Sequence, residues 1–431
     1  MLRRARCAFL LVLLAGSHGS AAPEKAVVFA HYSFWYTVGE AASVSAWPPD
    51  EISGRLMYPM PRYPRLSDEG SGSFGTNHGF GGYDATSAAN IRQHVTWAKQ
   101  YGIDVFALLW DGQTGGRFTP SVDKFKKAAD GMPWIIFYDT NVRFGRLGIC
   151  TVSNPLSNLQ PCPYDLDQKV RDGEQVKTMG QVLVDDFKYI KEKGWIDDPD
   201  YFRVDGRPVV WIYQAFQFSD QSETDSQARK WTAYIDDIRK WFWQNYQTEI
   251  YLVGNIAGAR RLYEPSWDSH IRQFDAVSGW SPYYITCERE PECDCCRPRT
   301  VTDAVAPIIR GWVQSVPSMK VKRISGGESS IEFAPFITPQ FDDQWVKGSG
   351  RPRMIAKSKE DFRYMAQTLG LDLLTGRHWL FLATFNAWPE GTTVEPSCDW
   401  KSRNCGPDYS RDRGQYGFEF LEVIRDVFGA D

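Results

Sequence analysis

The chain lacks an excess of positive charge. Its 49 lysines and arginines stand against 53 aspartates and glutamates, for a formal net charge of −4. Phosphate binding needs clustered basic side chains, and none are clustered here, so the sequence argues against a nucleic-acid partner. No G-x-G-x-x-G follows the first predicted strand, and the histidines show no close spacing. We therefore expect no metal, nucleotide or redox cofactor.

Long hydrophobic runs are also missing beyond the first residues. "MLRRARCAFLLVLLAGSHGSAA" combines arginines, an apolar stretch at 8–15 and small residues, which is typical of a secretory signal peptide. The apolar stretch is too short to span a bilayer, and no later segment has the character of a membrane helix. We predict a leader at 1–22, a single domain at 23–431, and a secreted or periplasmic protein without a membrane span.

The chain contains few cysteines, and an even number of them lie outside the predicted leader. Nine cysteines are present, and Cys7 lies within the predicted leader. An even remainder in an exported chain is typical of disulfides, whose pairing the sequence leaves open. The irregular spacing between Cys287 and Cys296 favours disulfides over a zinc cluster, because zinc motifs use regular C-x2-C pairs. The remaining cysteines are Cys150, Cys162, Cys287, Cys293, Cys295, Cys296, Cys398 and Cys405.

The sequence does contain an alternation of short apolar runs and longer segments of helical period. Strands that are apolar on both sides, alternating with amphipathic helices, imply a parallel sheet covered by helices. Such units predict a single (β/α)8 TIM barrel with long, disulfide-stapled βα loops; a doubly wound open sheet is the alternative. The runs are 25–32, 103–110, 133–139, 207–213, 249–255, 274–280, 331–338 and 378–386. The helical segments are 86–101, 173–193, 225–246, 301–315, 359–374 and 415–428, with weaker patterns at 120–130 and 262–273.

Catalytic groups of such a barrel follow the strands, on the C-terminal face. The residues at these positions are rich in aromatic, amide and acidic side chains. Aromatic faces stack on sugar C–H surfaces, while amides and carboxylates hydrogen-bond hydroxyls, so a glycan or polysaccharide is the predicted partner. Asp104 and Asp275 precede or open their strands and are assigned to the opposite, stability face. The predicted substrate-binding residues are His31, Tyr32, Trp35, Trp110, Asp111, Asp139, Tyr213, Asn255, Trp280, Tyr283, Tyr284, Gln340, Asn386 and Trp388.

The loops on that face are long. Residues 33–85 join the first strand to its helix and are crowded with Trp, Tyr, Pro, Gly and Ser. Loops of this length inside compact domains are usually functional, and we predict that this one forms a wall of a cleft. All eight cysteines fall in loops of the same face, where disulfides would hold the cleft open.

Several sequence blocks carry a family resemblance. The most specific are "GRPVVWIY" at 206–213 and "FNAWPEGTTVEP" at 385–396. With "VVFAHYSFWYT", "YGIDVFALLWDG", "FDAVSGWSPYY" and "FAPFITPQFDD" they stand in an order that resembles glycoside hydrolase families 99 and 71. They are also similar to related bacterial proteins described as polysaccharide glycosyltransferases. The resemblance implies a (β/α)8 barrel that acts on α-linked glycans, such as α-mannosides or α-1,3-glucan.

The block after the eighth strand departs from the family 99 pattern. That pattern reads Asn-Glu-Trp-His-Glu-Gly-Thr and holds two catalytic glutamates. Carried over position by position, the second glutamate falls on Glu390, which the resemblance implies is the general acid/base, and the first falls on Ala387. A methyl group cannot deprotonate a sugar hydroxyl. The positions that match are Asn386, Trp388, Gly391, Thr392 and Glu395.

This departure leaves three interpretations open. In the first, the chain is a hydrolase whose second carboxylate comes from another strand end, with Asp342 or Asp343 favoured before Asp111 or Asp139. In the second, the site binds a glycan with little turnover, because loss of a general acid or base costs about 10²–10⁴-fold. In the third, the fold catalyses glycosyl transfer. We predict an endo-acting secreted hydrolase with Glu390, Asp342 and Asp343 as catalytic residues; the sugar, the linkage and the oligomeric state stay open.

Overall fold

A computed structural model describes most of the chain between residues 25 and 429. Trp35, Asp342, Asp343 and Trp388 lie outside the described residues, as do the predicted leader and most of the cysteines. The described ranges are 25–34, 60–61, 84–147, 165–218, 225–256, 268–286, 297–341, 354–387, 390–398 and 416–429.

Every predicted apolar run forms a strand of one parallel sheet. The strands are buried along nearly their whole length, as expected for a sheet whose two faces are both covered. They are β1 Val27–Tyr32, β2 Val105–Trp110, β3 Trp134–Asp139, β4 Arg207–Tyr213, β5 Tyr251–Asn255, β6 Ala276–Ser278, β7 in two segments, Glu332–Ala334 and Phe336–Ile337, and β8 Trp379–Leu382.

The two segments of β7 bring the ends of the sheet together. The first segment pairs with β6, where Phe333 lies opposite Val277, and the second pairs with β8, where Phe336 lies opposite Phe381. Pro335 separates the segments; it has no N–H to give to a ladder, which fits a break at this point. The nine parallel strand segments therefore form a nearly closed barrel, with the strand positions of a (β/α)8 fold.

Helices follow the strands around the barrel. They are α1 Ala88–Gln100, α2 Thr119–Ala128, α3 Thr140–Arg146, α4 Met179–Glu192, α5 Asp225–Tyr246, α6 Asp268–Ile271, α7 Tyr283–Thr286, α8 Pro298–Ser315, α9 Lys359–Met365 and α10 Glu419–Phe428. Shorter helical turns occupy Ala215–Phe218, Val316–Ser318, Ala366–Gly370 and Leu371–Leu373. Two-stranded pairs join Lys169–Asp172 to Gln175–Thr178, Lys320–Lys322 to Glu328–Ser330, Arg203–Val204 to β4, and Met60–Pro61 to Ser397–Cys398. None of the described helices has both the length and the apolarity needed to cross a membrane.

The helix predicted at 173–193 begins later than its periodicity suggests. Residues 169–178 form a hairpin, and Val176, expected on the buried helix face, is 62% exposed. A capping box explains the start: the Gln181 N–H donates to Oγ1 of Thr178, and the Thr178 N–H donates to Oε1 of Gln181. The predicted helix at 359–374 is α-helical only to Met365. Residues 366–370 then form a wider, π-helical turn and residues 371–373 a tighter, 3-10 turn.

Aromatic contacts fix which side chains face the barrel interior. The Phe381 ring of β8 lies 5.7 Å from that of Phe137 in β3 and 4.6 Å from that of Trp211 in β4. These strands are not neighbours, so the contacts run across the interior, which is a packed core. Because side chains alternate along a strand, Asp139 lies on the same face as Phe137, one layer nearer the C-terminal end.

Charged pairs occupy the N-terminal end of the barrel. Asp275 accepts hydrogen bonds from Arg207 at 2.5 Å and from Arg239 at 2.9 Å, with all three side chains buried. Asp104 accepts from the Val28 N–H and pairs with Lys25 at 2.8 Å. The assignment of Asp104 and Asp275 to the stability face is therefore confirmed.

Candidate active site

Three of the predicted binding residues meet at the C-terminal end of the barrel. The Trp280 ring, two residues beyond β6, lies 5.0 Å from the His31 ring of β1 and 4.9 Å from the Tyr213 ring of β4. All three pack on Phe137, which closes the barrel beneath them. We call this end of the barrel, with the residues that follow its strands, the mouth.

His31 is held neutral at the mouth. Burial among aromatic rings lowers the pKa of the His31 imidazole from 6.5 to about 3. Its Nδ1 atom is buried and has no hydrogen-bond partner within the described part of the chain. A neutral imidazole with a free nitrogen can donate to or accept from a ligand, but it cannot supply a positive charge.

Further buried polar atoms at the mouth also have no hydrogen-bond partner among the residues that the structure describes. They are both side-chain atoms of Asn255, at the end of β5, both of Gln340, after β7, and Nε1 of Trp280. A buried polar group left without a hydrogen bond costs about 1–3 kcal/mol, and native proteins contain few of them. Three consecutive strand positions are thus followed by buried polar atoms whose hydrogen-bonding capacity is left for a ligand or for water.

Asp139 is an acidic group of the mouth whose carboxyl has a raised pKa. Burial raises the pKa of its carboxyl from 3.8 to about 7, and the charge of Asp111 adds to the shift. The Val142 N–H donates to Asp139 at 3.0 Å, because Asp139 caps the N-terminus of α3, and this bond opposes the rise. Asp139 is thus a buried carboxyl that exchanges a proton near neutral pH, as general acids and bases do.

Asp111 has a different environment, although it follows the neighbouring strand. Its carboxylate is fully buried and pairs with Arg146 at 2.8 Å and with Arg117 at 3.5 Å. It also accepts from the Arg117 N–H at 3.1 Å. These contacts hold the loop after β2 in place. The carboxylate of Asp111 is therefore already bonded to groups of the protein itself.

A second charged cluster, which the sequence reasoning missed, supports the same loop from outside the barrel. Arg143 of α3 is fully buried and pairs with Asp186 of α4 at 2.7 Å and with Asp172 at 3.0 Å. Asp186 accepts from the Gln113 N–H, and Arg143 donates to the carbonyl oxygen of Thr114. These residues are far apart in sequence and share no motif, so no sequence signal indicated the cluster.

Glu390 lies half-buried in a loop that is tightly hydrogen-bonded on both sides. The Thr384 N–H donates to the carbonyl oxygen of Thr392 at 2.7 Å, and the Glu395 N–H donates to that of Phe385 at 2.9 Å. The Ala387 N–H donates to Oγ1 of Thr384. These bonds fix the segments on either side of Glu390 to one another, while Asp342, Asp343 and Trp388 lie outside the described residues.

Asn386 connects this loop to β1. Its Oδ1 accepts from the Ser33 N–H at 2.7 Å, and its Nδ2 donates to the Ser33 carbonyl at 3.0 Å. The amide is fully buried. Both ends of the side chain thus bond the backbone, so Asn386 positions the end of β8 against the end of β1.

Tyr32 and Trp110 face away from the mouth. Tyr32 packs among Phe106, Phe125 and other rings on the helix side of β1, and Trp110 packs on Tyr189 and Trp195. Each lies one residue from an inward-facing neighbour, so the period of two sends its side chain to the helix layer. The structure does not bring either residue to the other mouth residues.

Tyr32 instead joins a buried polar chain. Its hydroxyl lies 2.7 Å from Nδ1 of His94, whose Nε2 lies 3.0 Å from Oε1 of Glu395. All three side chains are fully buried. The chain links β1, α1 and the loop that carries Glu390. The helical period of α1 placed His94 on its buried face, but nothing in the sequence paired it with Glu395.

Two more predicted residues lie beside the mouth. Tyr283 is fully buried and stacks on Phe341 at 4.1 Å, and Tyr284 lies 5.2 Å from the same ring. On the other side, Met60–Pro61 pairs with Ser397–Cys398, so the loop after β1 runs beside the segment after β8. Cysteine side chains lie outside what the structure describes, and the disulfides stay a prediction. In the described ranges, no three His, Cys, Asp or Glu side chains are grouped to hold a metal ion.

Comparisons with known proteins agree with this architecture. The family described as Glycosyltransferase WbsX matches residues 182–405, just over half of the chain. A structure described as a glycoside hydrolase-like protein superposes with a TM-score of 0.60 at 18% identity, over 96% of this chain and 98% of the other. The family 99 endo-α-mannosidase of Bacteroides thetaiotaomicron, with bound bis-tris-propane, gives 0.54 at 14% identity, over 94% and 95%. No curated protein sequence matches significantly. The predicted likeness to family 99 barrels is confirmed at the level of the fold.

Proposed function

Because the chain belongs to the Glycosyltransferase WbsX family and its barrel is that of glycoside hydrolases, we propose that it cleaves an α-linked polysaccharide or glycan. The α linkage follows from the likeness to endo-α-mannosidases and is part of the proposal. Glu390 is the proposed general acid/base, and attack within the polymer is the proposed mode.

The unpartnered polar atoms at the mouth carry this proposal. Asn255 and Gln340 offer amide donors and acceptors, and Trp280 offers an indole N–H beside an aromatic face. A sugar ring presents hydroxyls to such groups and C–H surfaces to such faces. A ligand of this kind would satisfy the hydrogen-bonding capacity that the protein leaves unmet, and this would favour binding strongly.

Asp139 supplies the second carboxylate in our proposal. Hydrolysis breaks the bond between the anomeric carbon and the bridging oxygen; Glu390 protonates that oxygen, and a second carboxylate activates water or attacks the sugar. Asp139 is buried at the mouth with a pKa of about 7, which suits a base that works near neutral pH. Asp342 and Asp343, which follow β7, are the alternatives for this role.

Glycosyl transfer is the second candidate function, because the matching family is named for it. In transfer a sugar hydroxyl replaces water as the acceptor, and the group released from the donor sugar is either the rest of a glycan or a nucleotide. The remaining site residues, Trp35, Tyr213, Tyr283, Tyr284 and Trp388, are proposed as sugar contacts in either case. Export through a leader at 1–22 and disulfide-stapled loops belong to the same proposal.

One assay separates these candidates. The purified protein is incubated with α-mannan and with α-1,3-glucan, and products are separated by chromatography with and without an added oligosaccharide acceptor or a nucleotide-sugar donor. Released oligosaccharides support hydrolysis; elongated acceptors support transfer; bound polymer without products supports a binding protein.

The acid is then tested by substitution. Glu390→Gln is expected to lower cleavage by about 10²–10⁴-fold while the melting temperature changes little. Glu192→Gln, the same change at an exposed residue of α4, serves as the control and is expected to keep full activity. Full activity in Glu390→Gln would refute the assignment.

A further inference from the structure

A pocket of about 480 Å³ opens at the N-terminal end of the barrel, opposite the mouth. It is lined by Arg207, where β4 begins, and by Glu249, two residues before β5. Trp243, in the last turn of α5, Gln247, just after that helix, and Ser329, in the hairpin 320–330, complete the lining on its other sides. This volume lies within the range of about 300–1,000 Å³ that is typical of small-ligand sites.

The two arginines that line this pocket are both paired with carboxylates. Arg207 donates to Asp275, and Arg323 donates to Ser329 at 3.0 Å and to Glu249 at 3.4 Å. Glu249 is buried and accepts from the Ser325 N–H at 2.6 Å. Since the guanidinium charges are already paired, the pocket does not select a phosphate or another strong anion. It offers a neutral ligand a dense set of donors and acceptors.

Trp243 adds an aromatic face to this polar pocket. It is half-buried, yet it makes no ring contact, no cation–π contact and no indole hydrogen bond with the described residues. Trp241, on the same helix, differs: its ring packs on Phe242 and Tyr246. The Trp243 ring is therefore available to a ligand, whereas the Trp241 ring is used within the protein.

We propose that this pocket is a second carbohydrate-binding site, which holds one or two sugar units of a polysaccharide with a sugar face stacked on Trp243. An aromatic platform beside paired carboxylates, guanidiniums and hydroxyls matches the chemistry of a neutral polyol. Only the choice of polymer rests on the proposed function; the proposal that this pocket binds a carbohydrate does not. Such a site, on the far face of the barrel, would hold one part of the polymer without occupying the mouth. It would thereby raise the local concentration of polymer near the mouth.

The test measures binding in variants that cannot consume the polymer. In a Glu390→Gln background, migration is measured in native gels that contain α-mannan or α-1,3-glucan. Trp243→Ala is expected to weaken the retention about tenfold, and Trp243→Phe, which keeps a ring and guards against misfolding, is expected to weaken it less. Trp241→Ala is the matched control on the same helix and is expected to bind like its parent.

The outcomes separate this proposal from the function of the mouth. Equal retention of the parent and Trp243→Ala would overturn the second site, and so would a parent that neither polymer retards. Retention that depends on Trp243, without any cleavage by the wild type, would keep the second site and remove the proposed enzyme. If the wild type cleaves the polymer but Trp243→Ala is retained like its parent, the proposed enzyme stands and the second site is removed.

Discussion

The two ends of the barrel treat buried polar groups in opposite ways. At the N-terminal end, Asp275 is buried and bonded to Arg207 and Arg239. At the mouth, Asn255 and Gln340 are just as buried, but their amide atoms have no partners within the described residues. Paired charges keep the strand ends together, whereas unpartnered amides cost stability until a ligand bonds to them. One sheet thus ends in paired charges on one side and in unpartnered amides on the other, which is the pattern expected if the second end alone binds a ligand.

The pKa values of the buried carboxyls at the two ends are shifted in opposite directions, although burial acts on both in the same direction. Burial raises the pKa of Asp275, but Arg239 and Arg207 outweigh it and hold the pKa below its usual range. Burial also raises the pKa of Asp139, and the Val142 N–H and the charge of Arg117 offset that rise only in part, so the pKa reaches about 7. The difference lies in the partners and not in the depth of burial.

The largest expected effect is on catalysis. Asp139→Asn keeps the cap of α3, since Asn also caps helices, but removes the proposed base, so cleavage should fall by about 10²–10⁴-fold. In the wild type, kcat/KM should decline as the pH falls through about 7, because the base must be ionised to act. Asp237→Asn, at an exposed residue of α5, is the control. A pH profile without a limb near 7 would transfer the role to Asp342 or Asp343.

The largest effect on stability should come from the N-terminal end. Asp275→Asn leaves two buried guanidiniums without their counter-charge, and we expect a loss of about 3–5 kcal/mol in the free energy of unfolding, measured with urea. Asp205→Asn breaks a pair with Arg377 in which the Asp205 side chain is 59% exposed, so it should cost no more than about 1 kcal/mol. Equal losses in the two variants would contradict the contrast between buried and exposed pairs.

The strands could be predicted because their signal is local. A short apolar run such as 133–139 or 207–213 is buried on both sides most readily as a strand of a sheet that is covered on both faces. Each predicted run forms such a strand. The start of α4 was missed because a capping box, formed by Thr178 and Gln181, begins the helix after Val176, although Val176 continues the helical periodicity of the sequence.

The site was predicted less completely, because a position just after a strand does not tell which way the side chain points or which groups it contacts. Asp139 and Asp111 follow adjacent strands and look alike in sequence, yet only the latter pairs with arginines from α3 and its own loop. Tyr32 and Trp110 stand one residue from inward positions, and the period of two turns them to the helices. The pairing of His94 with Glu395 joins residues far apart in the chain, which no local pattern can indicate.

A smaller effect concerns stability and pH at the mouth. The folded pKa of Asp139, about 7, exceeds its ordinary value of 3.8, so its contribution to stability is complete below pH 3.8 and is lost as the pH rises through 7. Asp139→Asn avoids that loss, so its free energy of unfolding relative to the wild type should rise between pH 5 and pH 8. At about 1.4 kcal/mol per pKa unit the gain is on the order of a few kcal/mol. Urea unfolding at both pH values measures it; a gap that does not change with pH would refute the raised pKa.

The most direct test of the contrast between the two ends replaces an unpartnered amide by an apolar group of similar shape. Asn255→Leu should leave the melting temperature unchanged or raised, and should abolish the glycan binding that calorimetry measures in a background carrying both Glu390→Gln and Trp243→Ala, where only the mouth can bind. Asn386→Leu, which removes an amide bonded twice to Ser33, should lower the melting temperature instead. If Asn255→Leu unfolds as readily as Asn386→Leu and still binds glycan like its parent, the mouth is ordinary core and the proposed site is wrong.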